Sequence, residues 1–194
     1  MRIAFSLLFC LFLGCSTAPT SQLPLVVVPV PPYTFLVTKI ADGTVDILSA
    51  VPNNVDPHLY EPTPQDAHRL SQAKLWISLG ENFEQPILKF IQSKRNDLTI
   101  LPLVEKNKDP HVWMNPKMVS VQVDWICDAL SQLFPEHEAL YRRNTLVLKE
   151  QLKSLDLHLH KLLEKTQGDA VIVSHDSFGY FCDAYGLIQI SVEV

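Results

Sequence analysis

Short apolar runs alternating with helical stretches constrain what this chain can fold into more than any other feature. LPLVVVP at 23–29 is apolar throughout, the pattern of a strand buried on both faces. Further strands are expected at TVDILSAV (44–51), KLWISLG (74–80), LTILPL (98–103) and AVIV (170–173). Helical periodicity fills the gaps at Tyr33 to Ala41, Pro64 to Ala73, Glu84 to Ser93 and Lys117 to Phe134. Strands spaced by helices imply βαβ units, hence a parallel sheet with right-handed crossovers. Sheets of that kind bind ligands at the carboxyl ends of their strands.

A single long helix is expected between Pro135 and Gly168. Leu140, Leu148, Leu152, Leu155, Leu159 and Leu162 fall on one stripe, with Leu146 and Leu157 on the opposite side. Some 30 residues would make a rod of about 45 Å, long enough to connect two lobes. After it comes one strand, a short helix at Phe178 to Ala184, and the start of another strand, IQISVEV. The fold class is therefore α/β: a parallel-sheet N-terminal lobe at 24–134, a connecting helix at 135–167 and the beginning of a second α/β lobe at 168–194.

Chemistry concentrates in three histidines. Asp56-Pro57-His58 and Asp109-Pro110-His111 repeat one device, and Ser174-His175-Asp176 follows the AVIV run directly. Proline fixes φ and biases the preceding residue to an extended conformation, so a DPH segment is a stiff loop that can hold an imidazole at a set angle. All three histidines fall at or beyond strand ends, and together they suggest a preformed metal site. Asp56, Asp109 and Asp176 read as braces of their loops. Glu61, three residues after His58, is a candidate to orient that imidazole or to substitute as a ligand. Tyr60 and Trp113 read as packing around the site, Trp76 and Trp125 as core. His68, His137, His158 and His160 read as histidines outside the site, His137 at the surface; His158 and His160 point about 160° apart on their helix and cannot chelate together.

The N-terminus reads as a targeting segment, with Met1-Arg2 followed by the apolar IAFSLLFCLFLG. That core is too short for a transmembrane helix, which needs roughly 20 apolar residues. The Gly14-Cys15 junction resembles a bacterial lipobox, with Phe12 where such boxes usually carry leucine. On that reading residues 1–15 are the signal, Cys15 is acylated and anchors the protein to a membrane, and 16–23 (STAPTSQL) is a tether. A plain cleavable signal peptide is the alternative, and either exports the protein to the periplasm or cell surface of a bacterium. Cys127 and Cys182 sit among apolar neighbours as buried small hydrophobes, with a disulfide left open. They form no CxxC knuckle, so a metal here would be held by nitrogen and oxygen. The net charge of −5 provides no basic patch for nucleic acid, and with 6 glycines the chain has no phosphate-cradling loop.

The segments DPHLYEPTPQD, DPHVWMNP and SHDSFGYFCDAYGL, with a long helix between the last two, resemble the metal-binding solute receptors of ABC transporters, the ZnuA/TroA-like group of cluster A-I. The resemblance covers the chain from about Leu25 to its end. It implies two α/β lobes joined by a rigid helix, with the metal in the cleft between them on His58, His111 and His175. It also implies a fourth ligand, usually an aspartate of the C-terminal lobe, which has no counterpart before Val194. A lobe matching the first would need roughly 100 residues. The sequence is thus expected to be a partial version of a longer receptor, with poor solubility from uncovered strand edges.

Three imidazoles suit zinc, and zinc outcompetes manganese for nitrogen ligands. A third histidine, where manganese receptors of this group often have glutamate, also resembles the zinc type. VEKNKDP lacks the histidine-rich loop of many zinc receptors, and Mn2+ and Fe2+ stay as alternatives to Zn2+. The expected function is capture of the ion and its delivery to an ABC permease, without enzymatic activity. A zinc-dependent hydrolase and a surface adhesin lipoprotein with structural metal are the rival readings. The hydrolase would want an HExxH pair or a GxSxG nucleophile, and neither occurs in the sequence.

Overall fold

The computed structural model describes residues 23–105 and 108–192. The targeting segment with Cys15, and most of the tether, lie outside the described residues.

Four strands form one parallel sheet: β1 (Leu25–Val28), β2 (Asp46–Ser49), β3 (Leu75–Ser78) and β4 (Thr99–Pro102), in the order β2-β1-β3-β4. Their registers pair Val26 with Ile47 and with Leu75, and Trp76 with Ile100. Connecting them are α1 (Pro31–Ala41), α2 (Pro64–Leu70) and α3 (Glu84–Lys94). The central strands β1 and β3 are buried along almost their whole length, which is why they read as unbroken apolar runs. Each of these strands is shorter than its apolar run. Helix α1 starts earlier than its periodicity suggests: Pro31 and Pro32 occupy its first turn, where proline's missing N–H costs nothing.

Helix α4 (Pro116–Leu133) packs on this sheet, and the connector α5 (Glu138–Leu162) packs on α4 and α1. In α4, Asn115 caps the start by accepting the N–H groups of Lys117 (2.9 Å) and Met118 (3.3 Å). The connector has 25 residues, about 37 Å of rise, with 3-10 turns at each end replacing the outer parts of the expected rod. It is pinned by Asn144 donating to the Ile40 carbonyl (3.1 Å) and by the Tyr141–Thr44 hydroxyl pair (2.8 Å). Tyr33 of α1 donates to Gln122 of α4 at 2.9 Å in a buried contact, so α1 is tied by polar groups to both α4 and α5.

The leucine stripe of α5 holds only in its first half. Leu148 is buried and Leu140 and Leu152 pack on the core, whereas Leu155 and Leu162 are exposed, as are Leu146 and Leu157. Beyond Leu152 the leucines of the stripe no longer join the buried core. Trp125, expected in the core, is 44% exposed, while Val119, Val123, Ile126 and Leu130 form the buried face of α4. Trp125 is two residues from Val123, about 200° around the helix, and so points the other way.

Past the connector, β5 (Ala170–Val173) and β6 (Ile188–Ser191) form a separate two-stranded parallel sheet, linked by α6 (Gly179–Tyr185). Gly186 ends α6 at φ 71°, a left-handed position where any Cβ would also collide with the Gln167 side chain. Cys127 and Cys182 are buried free thiols.

Candidate metal centre

The two DPH segments form the same local structure. Asp56 Oδ1 accepts the backbone N–H of His58 at 2.9 Å, and Asp109 Oδ1 accepts that of His111 at 2.9 Å. Each is an Asx turn, with proline stiffening the middle and the imidazole projecting from its end. The first lies between β2 and α2. The second lies between β4 and α4 and runs straight into a 3-10 turn at Val112–Met114. His175 sits two residues beyond β5, in a turn closed by the Ser177 N–H to the His175 carbonyl (2.8 Å).

Docking of α6 onto the second DPH segment brings the third histidine to the other two. The Tyr180 hydroxyl donates to the Asp109 carbonyl (3.3 Å), and the Asn115 amide donates to the Tyr180 carbonyl (3.3 Å). On the far side Asp176 accepts the Gln189 side-chain amide, and Gln189 Oε1 takes the Phe178 N–H at 2.6 Å. The His175 turn is thereby anchored to β6 as well as to the first unit.

The result is a triangle of imidazoles with centroid separations of 5.4, 5.0 and 5.1 Å. His175 Nε2 lies 3.2 Å from His58 Nε2 and 3.3 Å from His111 Nε2. The three ligand atoms all lie within 4.8 Å of one another, and no other cluster of three metal-ligating side chains occurs among the described residues. Tetrahedral zinc with Zn–N bonds of about 2.0–2.1 Å would set its nitrogens about 3.3 Å apart.

A carboxylate stands beside the outward-facing ring nitrogen of two of the three histidines. His111 Nδ1 lies 2.7 Å from Asp109 Oδ1, the same oxygen that closes its turn. His58 Nδ1 lies 3.3 Å from Glu81 Oε2. A carboxylate that accepts an Nδ1–H leaves Nε2 with its lone pair for a metal. Glu81 was not singled out from the sequence. Its signal was its place directly after the buried strand β3, where this architecture puts binding groups. Glu61, the expected brace, is exposed and lies outside the cluster, without a hydrogen bond or ion pair among the described residues.

Aromatic rings wall the site: Trp113 stands edge-on to His111 (5.2 Å between centroids) and to Tyr33 (6.1 Å), and Tyr60 packs on Phe83 (5.4 Å). His68, His137, His158 and His160 all lie outside the triangle. His160 instead turns back to the Asp156 carbonyl of its own helix (2.9 Å).

A parallel four-stranded sheet, a long connecting helix and a three-histidine cluster reached from both sides define a binding protein of the α/β receptor class. The sequence profile of ZnuA, described as the periplasmic component A of a zinc-uptake complex, matches residues 26–194. The chain belongs to this family. A Chlamydia trachomatis protein is 37% identical over 205 residues, covering 100% of this chain and 74% of that protein. The zinc-binding protein TroA of Treponema pallidum is 28% identical over 187 residues, covering 89% of this chain and 61% of its own length. A crystal structure of ZnuA superposes with a TM-score of 0.81 at 30% identity, over 89% of this chain and 71% of that one. Among the described residues no helix is long and apolar enough to cross a membrane.

Proposed function

We propose that this chain captures a divalent transition metal outside the cell's inner membrane, zinc before manganese or iron, on His58, His111 and His175. The reading rests on one observation above all: the Nε2 atoms at 3.2 and 3.3 Å, close to the spacing tetrahedral zinc demands. Three neutral imidazoles favour zinc over Mn2+ and Fe2+ in the Irving–Williams order. The fourth position is left for water or a carboxylate. Delivery to the membrane permease of an ABC transporter follows the role described for the family, and acylation at Cys15 would keep the protein at the membrane. Binding is stoichiometric, without turnover of esters or peptides.

Calorimetric titration of the apo protein tests this. One zinc should bind per chain, and His111→Ala should weaken binding at least a hundredfold while leaving the fold intact. Ordinary imidazoles protonate near pH 6.5, so affinity should fall steadily from pH 7.5 to 5.5. Unchanged affinity in His111→Ala, or a flat pH profile, overturns histidine ligation.

A further inference from the structure

The duplicated DPH loops brace their imidazoles differently. Asp109 serves its histidine twice, at the backbone N–H and at Nδ1. Asp56 takes the backbone N–H of His58, but the ring is passed to Glu81, a residue from a different loop. His58 is also the least sheltered ligand, with its side chain 32% exposed against 9% for His111. Glu81 is the carboxylate beside its ring, at 3.3 Å from Nδ1.

Glu81 is held by the buried carboxylate of Glu84. Glu84 Oε1 accepts the N–H groups of Leu79 (3.0 Å) and Glu81 (3.1 Å), and Oε2 accepts the Trp76 indole N–H (3.0 Å). In return the Glu84 N–H bonds the Glu81 carbonyl at 3.1 Å. The 79–84 turn is cross-braced through the wholly buried Trp76 of β3, so the position of Glu81 derives from the sheet itself.

We propose that Glu81 is the positioning residue for His58, holding the Nδ1–H tautomer so that Nε2 reaches the shared metal position, with Glu84 anchoring it to β3. With Asp109, it also places two carboxylates on the outer nitrogens of the ligand rings, matching the two positive charges of the ion. This rests on the metal-capture reading above and names the residue that sets how long the exposed ligand stays on. Removal of such a partner lowers metal affinity about 10–100-fold.

The test uses the full chain as wild type, Glu81→Ala, Glu81→Gln and His58→Ala. Zinc affinity and off-rate are measured by chelator competition, and the His58 tautomer by 15N NMR of the apo protein. Glu81→Ala should bind 10–100-fold more weakly, release zinc faster, and lose the fixed Nδ1–H signature of His58. Glu81→Gln keeps an acceptor oxygen, so it should retain the tautomer and recover part of the affinity. An unchanged His58 signature in Glu81→Ala, or affinity within twofold of wild type, overturns the proposal. So does a Glu81→Gln variant as weak as Glu81→Ala with its tautomer lost. Should wild type and His58→Ala bind zinc equally, it is the metal-capture reading that fails; the apo tautomer still decides whether Glu81 positions His58.

Discussion

Asp109 carries more of the site than any other single acid, because one oxygen closes the turn and orients the ring it presents. Asp109→Ala should lower zinc affinity about 10–100-fold, measured by competition with a chelating dye. Asp56→Ala removes a turn bond but no ring contact, and should cost less. Glu84 makes a second prediction at this scale. Burial pushes its carboxyl above the ordinary range, against the pull of its hydrogen-bond donors. A raised folded pKa means the folded state holds the proton more tightly than the unfolded chain. The contribution of Glu84 to stability is therefore greatest in acid and is lost as pH rises through its raised pKa. In chelator-treated protein, the melting temperature of wild type relative to Glu84→Gln should rise as pH falls from 7 towards 5. A difference that is constant or moves the other way would mean Glu84 is not a strained buried acid. The histidines were legible in the sequence because DPH and SHD sit at strand ends. Glu81 was not, since its contact with His58 spans two loops and no spacing rule joins residues 58 and 81.

The helices show how far periodicity reads. In α5 the same residue type has two fates, decided by what lies opposite. Leu148 faces the core, so Leu148→Ala should cost about 2–5 kcal/mol in denaturant unfolding. Leu162, exposed near the end of α5, should change stability by about 0.5 kcal/mol or less when replaced. Equal losses at the two positions would mean the outer half of α5 is packed in solution. The stripe itself was visible in the sequence, but where its partner surface stops is a tertiary fact. Trp125 marks the converse limit: its size suggested core, while its phase against Val119, Val123 and Ile126 put it outside. The polar core of the α5 outer half was not legible at all. Asp156 is buried there, accepting from the Tyr185 hydroxyl (3.2 Å) and lying 3.5 Å from Lys117 Nζ, so it joins α4, α5 and α6. Burial and the nearby Asp156 charge push the Tyr185 phenol up to about 12.

At the scale of the molecule, the alternation of strands and helices predicts the parallel four-stranded sheet and the connector, and the structure has both. The two-stranded unit is the weaker partner, since two strands rarely hold together alone. Ile172, Ile188, Ile190 and Val192 stand exposed on it, Ile172 to 72%. The chain should accordingly self-associate as concentration rises, and Ile172→Thr with Ile190→Thr should shift sedimentation profiles towards the monomer. No shift would mean that this apolar face does not mediate the contact. The histidine triangle spans this unit and the larger one across a wide gap in sequence: His58 and His175 are 117 residues apart. An ion seated between them ties the ends of a loop of that length, as a covalent cross-link would. By polymer statistics such a tie is worth about 4–5 kcal/mol of chain entropy, here reversible and released by a chelator or by acid. The cargo would thus double as a removable staple, and a loaded chain nicked between the two histidines should stay whole under conditions in which the empty one separates.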